Sequence, residues 1–248
     1  MTKLSVNVNK IAVLRNSRGG SDPNVFSLAE LCIRNGVDGI TVHPRNDLRH
    51  IKPIDVKQLR QLTLKYAIEF NIEGNPFSEK SKDYPGFLSL VQKNKPEQCT
   101  LVPDDPSQLT SDHGWNLQKV DIDLFNIISS LKSQGIRVSL FLDPDPKQIT
   151  RAKELGADRV ELYTGPYAHS YLNKNKREKS LNKYKKAVDH AISVGLEVNA
   201  GHDLNLENLK TFLKIGNIKE VSIGHALISD SLLYGLEKTV KLYLNECK

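Results

Sequence analysis

Histidine and acidic side chains follow several hydrophobic runs of the sequence, where they are placed to transfer protons. His43 lies near the end of GITVHP, Glu73 near the end of IEFNIEG, and His202 directly after LEVNAG. Histidine accepts and donates protons near neutral pH, and a carboxylate in a closed pocket can be tuned to act as a base. If these runs are strands whose ends meet, the sequence predicts an acid–base site around the three side chains.

Residues suited to phosphate binding occur beside the same run ends. Arg45 has a planar guanidinium that can bind a phosphate through two hydrogen bonds, and His50 can add a donor. Gly201 and Gly224 allow backbone N–H groups to approach an anion closely. Arg18, in the segment LRNSRGG after the first run, is either a further phosphate contact or an exposed loop arginine. The other polar residues near these ends are Asn7, Asn9, Lys10, Arg49, Asp143, Glu161, Thr164, Asp203 and His225.

The elements that would position these residues alternate along the chain. Hydrophobic runs predict strands at 4–8, 39–44, 68–74, 98–103, 136–143, 158–165, 196–201 and 220–228. Amphipathic segments predict helices at 27–36, 54–66, 84–95, 120–135, 146–156, 174–195 and 205–215, and a last helix that runs to the C-terminus. Ser27 and Glu30 have the spacing of a capping box at the start of the first predicted helix.

Eight strand–helix units without a break in composition predict an α/β fold. We expect a closed (β/α)₈ TIM barrel that forms one catalytic domain over residues 1–248. Chemistry in such barrels takes place at the C-terminal ends of the strands, which is where the residues named above fall. An open, doubly wound sheet is the alternative, but no GxGxxG motif follows the first run.

Composition indicates a globular protein rather than a membrane or secreted one. The chain has 248 residues, of which 39% are hydrophobic and 26% are charged, and its formal net charge is +6. It has no apolar run near the roughly 18 residues of a membrane span and no signal-peptide core at its N-terminus. Cys32, Cys99 and Cys247 lie far apart without CxxC spacing and are expected to be buried or incidental free thiols. These features predict a cytoplasmic protein.

The sequence has features that bear on three other kinds of function: a zinc hydrolase, a Schiff-base aldolase and a module that binds polyanions. A hydrolytic zinc site is disfavoured because the chain has no HExxH motif and no HxH after the first run, so no metal is expected. Lys10 could form a Schiff base with a ketone, which would make the protein an aldolase. The positive charge could serve a module that binds RNA or another polyanion. Aromatic residues are few and no RNA-binding or zinc-finger motif occurs, so nucleic acid is not an expected partner.

The chain resembles the pyridoxine 5′-phosphate synthase family in stretches that follow one another in order along nearly its whole length. These stretches are VNVNKIAVLRNSRGG (6–20), DGITVHPRNDLRHI (38–51), NIEGN (71–75), LVPDDPSQLTSD (101–112), VSLFLDPD (138–145), VELYTGPYA (160–168), VNAGHDLN (198–205) and SIGHALI (222–228). Among them, HPRNDLRHI and VNAGH are especially specific. The resemblance implies a barrel with extra helices that assembles as a homo-octamer and needs no metal or organic cofactor.

The resemblance also implies a reaction. Members of the family condense 1-deoxy-D-xylulose 5-phosphate with 3-amino-2-oxopropyl phosphate to give pyridoxine 5′-phosphate, inorganic phosphate and water. The amine of the substrate attacks the ketone itself, so this reaction needs no Schiff-base lysine. The partners implied for the chain are therefore small phosphorylated molecules.

The matched positions imply a role for each site residue. His43 and Glu73 would accept protons, and His202 would donate one. Glu161 would stabilise a transition state. The residues that would hold the deoxyxylulose phosphate are Asn9, Lys10, Arg45, His50 and Thr110. The residues that would hold the aminoketone phosphate are Asn7, Arg18, Asp203, Gly224 and His225.

Two positions depart from the family pattern. Many members have Asp-His where this chain has Asn9-Lys10, which can still supply hydrogen bonds and charge. Asp203 replaces the usual glycine after the strand-7 histidine, and its carboxylate would repel a phosphate. We therefore expect the Asp203 side chain to point away from the ligand. The loop after the fourth strand, with Thr110, and the segment 166–177 are the candidate lids.

Overall fold

Eight parallel strands form a closed barrel in the computed structural model, which describes residues 1–105, 107–119 and 122–248. The strands are β1 (Lys3–Asn7), β2 (Gly39–Val42), β3 (Glu69–Gly74), β4 (Gln98–Leu101), β5 (Arg137–Leu142), β6 (Arg159–Tyr163), β7 (Glu197–Gly201) and β8 (Ile218–Ile223). Each strand pairs with the next one, and β8 closes the ring on β1, where Ser222 pairs with Ser5. The predicted TIM barrel is confirmed, and the open sheet is excluded.

Helices connect the strands; two of the connections carry two α-helices each, and two more helices follow β8. The helices are α1 (Asn9–Asn16), α2 (Val25–Arg34), α3 (Pro53–Tyr66), α4 (Phe87–Asn94), α5 (Ile122–Ser133), α6 (Pro146–Glu154), α7 (Gly165–Ser170), α8 (Lys174–Ser193), α9 (Leu209–Leu213), α10 (His225–Tyr234) and α11 (Leu236–Glu246). The paired helices α1 and α2, α7 and α8, and α10 and α11 confirm the expected extra helices. Residues 120 and 121, the start of the helix predicted over 120–135, lie outside the described residues.

The strand predicted over 220–228 was too long. β8 ends at Ile223, and α10 begins at His225 after Gly224. Leu227, which had extended the apolar run, is a buried residue of the helix instead. A short apolar run fits a strand and a buried helix face equally well, so the pattern could not locate this boundary.

Residues 9–16 form a helix where a strand end and a loop were predicted. Asn9 and Lys10 make the first turn of α1, and Ile11, Ala12 and Arg15 are its buried residues. The spacing of these three residues places them on one helical face that packs on the barrel. Lys10 is therefore a helix residue rather than the end of β1.

The candidate lid 166–177 is largely helical, because α7 ends at Ser170 and α8 begins at Lys174; its closure over a ligand stays a prediction. One further local prediction was wrong. The capping box predicted at Ser27 is absent from that position, since α2 already begins at Val25. Asn24 caps this helix, and its side chain accepts a hydrogen bond from the Ser27 backbone N–H at 2.9 Å.

Hydrogen bonds across the barrel show that its interior is polar. Asn199 on β7 donates to Gln98 on β4 at 3.4 Å, and Arg159 on β6 donates to the same side chain at 3.2 Å. Neither β6 nor β7 is adjacent to β4, so these bonds pass through the interior. Other buried polar residues of the strands are Ser5, Thr41, Asn71, Thr100, Ser139, Glu161, Glu220 and Ser222. The apolar strand residues between them belong to the hydrophobic core shared with the helices.

The cysteines are free thiols in the protein interior, as the sequence predicted. The three cysteines are buried and unpaired, and burial raises the pKa of the Cys32 thiol to about 12. Such thiols stay protonated and unreactive at neutral pH. In the described part of the chain, no helix is both long and apolar enough to cross a membrane.

Candidate active site

Asn7 and Asn9 connect the end of β1 with the acid–base candidates on the neighbouring strands. Asn9 Oδ1 accepts a hydrogen bond from the backbone N–H of His43 at 2.9 Å, and Asn7 Nδ2 donates to Glu73 Oε2 at 3.4 Å. The bond to His43 needs only a side-chain oxygen, which asparagine and aspartate both supply. Asn9 therefore keeps the contact that the aspartate expected from the resemblance would make.

His43 is buried among other basic groups at the end of β2. Burial lowers its pKa well below the usual value, and the charges of Arg45 and His50 lower it further. His43 Nε2 lies 3.8 Å from Asp104 Oδ2, and the centroids of the His43 and His50 rings are 6.2 Å apart. The His43 ring is therefore neutral at physiological pH and able to accept a proton.

Glu73 and Glu161 are buried carboxyl groups whose charges repel each other. Burial raises the pKa of Glu73 well above its usual value, and the nearby Glu161 raises it further. Burial also raises the pKa of Glu161, to about 7, against a hydrogen bond from Thr100. Gly201 makes room for this carboxyl, because a Cβ at that position would overlap Glu161 Oε1. Carboxyl groups tuned in this way can exchange protons near neutral pH.

His202 and Asp203 form a turn of unusual backbone conformation after β7. Their φ angles are 80° and 59°, in the left-handed region that favours glycine. The Thr164 backbone N–H and hydroxyl donate to the Gly201 carbonyl oxygen at 2.9 and 2.6 Å and hold the turn. Aspartate is among the few residues that tolerate this conformation, so Asp203 can take the place of the glycine that the resemblance leads us to expect here.

The His202 ring packs between two aromatic side chains at the barrel rim. Its centroid lies 5.2 Å from that of Phe141 and 5.6 Å from that of Tyr163. Burial lowers the pKa of His202, while the carboxylates of Asp203 and Asp104 oppose this shift. The Asp203 side chain is exposed, and whether it points away from a bound ligand stays a prediction.

Asp104, which the sequence analysis missed, links Arg45 with His43. It follows β4, forms a buried ion pair with Arg45, and accepts a hydrogen bond from Ser111 Oγ at 2.7 Å. Arg45 Nη1 also donates to the Gln108 carbonyl oxygen at 2.9 Å. A phosphate that binds Arg45 must therefore share it with Asp104 or displace that carboxylate. The same rule that located candidates at other strand ends would have found Asp104 after β4.

Replacing Asp104 with asparagine is expected to destabilise the fold by on the order of 3 kcal/mol, because it leaves the Arg45 charge buried and unbalanced. Urea unfolding at neutral pH measures this change. Asp105→Asn is the matched control, since Asp105 is exposed and, among the described residues, its side chain bonds only to Ser107 within the same turn. Equal stability of the two variants would contradict the role given to the Asp104–Arg45 pair.

His50 is fixed as a hydrogen-bond donor by its own loop. Its Nδ1 accepts from the Ile51 backbone N–H at 3.0 Å, and burial with the charge of Arg45 lowers its pKa to about 3. A neutral ring whose Nδ1 accepts carries its proton on Nε2. The His50 carbonyl oxygen accepts from Asn16 Nδ2 at 2.8 Å and from Arg15 Nη2 at 3.2 Å, so α1 holds the loop. This geometry suits the predicted contact with a phosphate.

Gly224 and the start of α10 form a second place suited to an anion. A Cβ at Gly224 would lie 3.1 Å from the Asn7 Cβ, so glycine allows β8 to pass close to β1 here. The backbone N–H groups that begin α10 at His225 have no partners within the helix, and helix N-termini favour negative charge. The predicted ligands Asn7, Gly224 and His225 are thus brought together.

Some predicted substrate contacts lie on the surface rather than in the buried site. The exposed ones are Lys10, Arg18, Thr110, Asp203 and His225. The charge of Lys10 still contributes to the lowered pKa values of His50 and His202, so its field reaches the site. The contacts of these five residues with substrate stay predictions.

Among the described residues, no group of three or more histidine, cysteine or acidic side chains is arranged to hold a metal ion. That the protein works without a metal or organic cofactor stays a prediction.

The family of the chain follows from its similarity to known proteins. The family model described as pyridoxal phosphate biosynthesis protein PdxJ matches residues 4–248. The chain belongs to this family. Pyridoxine 5′-phosphate synthase from Xanthomonas axonopodis pv. citri (strain 306) is 52% identical over 245 residues, which cover 98% of this chain and 96% of that protein. The protein of the same name from Leptospira biflexa serovar Patoc is 49% identical over 257 residues, with coverage of 98% and 96%.

Solved structures of lower identity agree on the barrel. Tryptophan synthase from Mycobacterium tuberculosis aligns with a TM-score of 0.65 at 11% identity and covers 99% of this chain and 92% of its own. Thiamine phosphate pyrophosphorylase from Pyrococcus furiosus aligns with a TM-score of 0.62 at 15% identity, with coverage of 99% and 95%. At such identities the likeness concerns the fold alone. The PdxJ match, by contrast, confirms the family suggested by the motifs at the strand ends.

Proposed function

We propose that the chain is a pyridoxine 5′-phosphate synthase that forms its product from 1-deoxy-D-xylulose 5-phosphate and 3-amino-2-oxopropyl phosphate, with release of inorganic phosphate and water. The observation that carries this proposal is the PdxJ match over residues 4–248, which includes every candidate site residue. The chain would act as one catalytic domain over residues 1–248. Its acid–base groups would lie at the C-terminal ends of the barrel strands.

Proton transfers dominate the chemistry assigned to the protein. When a primary amine condenses with a ketone, the nitrogen loses protons and the ketone oxygen gains them before it leaves as water. His43 is neutral because it is buried, so it can accept a proton from the amine. Glu73 has a raised pKa and is, once ionised, a stronger base than an ordinary carboxylate. Glu161, whose charge acts on Glu73, would stabilise positive charge that develops during the reaction.

His202 must carry a proton before it can donate one. In the free protein burial lowers its pKa, so the ring is mostly neutral. A phosphate bound near Gly224, at the end of the adjacent strand, would add negative charge beside the ring and raise its pKa. Binding of the aminoketone phosphate would therefore prepare His202 as the proton donor.

The two phosphates would bind at separate places on the barrel rim, on the two strands that flank β1. Arg45 and His50 offer donors on the β2 side, and Asn7, Gly224 and the start of α10 offer them on the β8 side. Fixing both substrates at their phosphates would hold the amine against the ketone, which removes much of the entropic cost of the condensation.

Incubation of the purified protein with both phosphates tests the proposal. Pyridoxine 5′-phosphate, identified by mass and chromatography, should accumulate only when both substrates are present. If folded protein forms no product at several pH values, the proposed function is wrong.

Borohydride trapping distinguishes this function from that of a Schiff-base aldolase. Lys10 lies exposed on the first turn of α1, so its ammonium group is in contact with water. We expect no covalent adduct at Lys10 when the protein is reduced in the presence of a ketone phosphate, as read from peptide masses. A known Schiff-base aldolase treated in parallel shows that the trapping works. A stoichiometric adduct at Lys10 would favour the aldolase.

The family resemblance also supports a homo-octamer that works in the cytoplasm. Large apolar side chains are exposed on the surface, among them Leu172, Leu232 and Leu233 at 90%, 77% and 77%. Contiguous apolar surface commonly marks contacts between subunits. Sedimentation of the purified chain should give the mass of eight copies, and a monomer at micromolar concentration would contradict this assembly.

A further inference from the structure

Glu220 is a buried acidic residue that neither the sequence analysis nor the proposed mechanism uses. It lies on β8 with 1% of its surface exposed. Asn199 on β7 pairs in register with both Glu220 on β8 and Glu161 on β6. Because these three residues sit at matching positions of adjacent strands, all of them face the barrel interior. Glu220 is thus joined to a catalytic candidate through one intervening residue.

The interior of the barrel has more acidic groups than cations to balance them. Glu69 and Glu197 are paired: Arg137 contacts Glu69, and Arg159 Nε lies 2.7 Å from Glu197 Oε2. Among the described residues, no cation lies within ion-pair distance of the carboxyl groups of Glu73, Glu161 and Glu220. Three ionised carboxylates in one dry interior would repel one another strongly.

Hydrogen bonding in the interior shows the same imbalance. Glu220 Oε1 accepts from Asn199 Nδ2 at 3.3 Å. Among the described residues, Glu220 Oε2, Glu161 Oε2 and Asn199 Oδ1 are buried acceptors without a hydrogen-bond partner, whereas the unpartnered strand groups that can donate are Gln98 Nε2 and Ser139 Oγ. An ionised carboxylate only accepts hydrogen bonds, so it cannot serve the other acceptors. A proton on a carboxyl group turns one of its oxygens into a donor and reduces the excess.

The geometry favours Glu220 as the group that keeps that proton. In the described part of the chain Glu220, 1% exposed, accepts one hydrogen bond, whereas Glu73, 7% exposed, accepts from both Asn7 and Asn71. Burial raises the pKa of Glu220 to about 8, and the charges of Glu69 and Glu161 add to this, while Arg159 and Arg137 oppose it. Glu220 in turn contributes to the raised pKa of Glu73. A negative charge on Glu220 would therefore discourage ionisation of both catalytic carboxyl candidates.

We propose that Glu220, buried beside Asn199 and Glu161 inside the barrel, carries a proton during turnover and so acts as a positioning residue that leaves the negative charge of the interior to Glu73 and Glu161. This role rests on the proposed function, because it assigns the catalytic carboxyl groups. Glu220 touches neither substrate, and its effect is electrostatic. In alkaline solution Glu220 ionises, and the added negative charge then opposes ionisation of Glu73.

Infrared spectroscopy and pH profiles of Glu220→Gln test the proposal. Glutamine has the shape of a protonated glutamate, so kcat at neutral pH should stay within about twofold of the wild type. The alkaline limb of the kcat profile, set in the wild type near the pKa of about 8, should move to higher pH in the variant. The infrared difference spectrum, wild type minus variant at neutral pH, should contain a carboxylic-acid C=O band.

Glu197→Gln is the matched control, because this glutamate is half exposed and its contact with Arg159 lowers its pKa against the effect of burial. Its difference spectrum should show a carboxylate band and no acid band. If Glu220→Gln does not fold, Glu220→Met, of similar volume, replaces it in the infrared measurement. A carboxylate band for Glu220, or a loss of kcat above tenfold in a folded Glu220→Gln variant, would overturn the proposal. The infrared result does not depend on turnover, so it can fail separately from the proposed function.

Discussion

Replacing His43 with asparagine will lower kcat by about 10²- to 10⁴-fold, the usual contribution of a general base. Asparagine cannot accept a proton at neutral pH, whereas the neutral imidazole of His43 can. The backbone N–H of residue 43 keeps its bond to Asn9 Oδ1, so the strand end should keep its geometry. Steady-state kinetics with both substrates measure the effect, and circular dichroism checks the fold.

His190→Asn provides the control for this variant. His190 lies on α8 and contacts Thr150 at 2.7 Å, away from the strand ends. Its replacement should leave kcat unchanged within experimental error. A His43→Asn variant that turns over within a few-fold of the wild type would show that another group accepts the proton.

Glu73→Gln will lower kcat by a similar factor, about 10²- to 10⁴-fold. At high pH the same substitution is expected to make the fold more stable than that of the wild type. The Glu73 pKa is raised in the folded protein, so between the unfolded pKa of 4.5 and the folded pKa the native state binds the proton more tightly. The stability of the wild type therefore falls as the pH rises through this interval. Glutamine does not ionise, so the Tm of the variant relative to the wild type should increase from pH 5 to pH 8.

The hydrogen bonds that Glu73 accepts limit the gain in stability from this variant. Glu73 accepts from Asn7 Nδ2 at one oxygen and from Asn71 Nδ2 at the other, each at 3.4 Å. The glutamine amide nitrogen would face one of these donors, which opposes the gain. Glu79→Gln, at an exposed position, controls for the loss of one acidic group. A Glu73→Gln variant with wild-type kcat, or a relative Tm that does not change with pH, would contradict the assignment.

The sequence was informative where hydrophobic periodicity and strand ends carry the signal. Alternating runs predicted all eight strands, because apolar strand residues must pack against the helices whatever the interior contains. His43, Glu73 and His202 were found because parallel strands bring their C-terminal ends to one rim. The boundary of β8 was missed because the apolar residues around Leu227 fit a helix as well as a strand.

Features that depend on contacts between distant residues could not be predicted. The helix α1 overlaps the strand pattern, and only its packing through Ile11 and Arg15 decides its conformation. Burial of Glu220 inside the barrel has no local signal, since an acidic residue in a strand is usually on the solvent side. Asp104, in contrast, stands at a strand end and was predictable in principle; only its pairing with Arg45 required the structure.

The ratio of inorganic phosphate to pyridoxine 5′-phosphate tests the central claim most directly. Both products are measured in the same reaction, by a phosphate assay and by chromatography, with wild-type protein and with His43→Asn as the inactive reference. The account predicts one phosphate released for each pyridoxine 5′-phosphate formed, and no release when either substrate is omitted. Phosphate release from a single substrate, or a product formed without it, would show that the chain catalyses a different reaction.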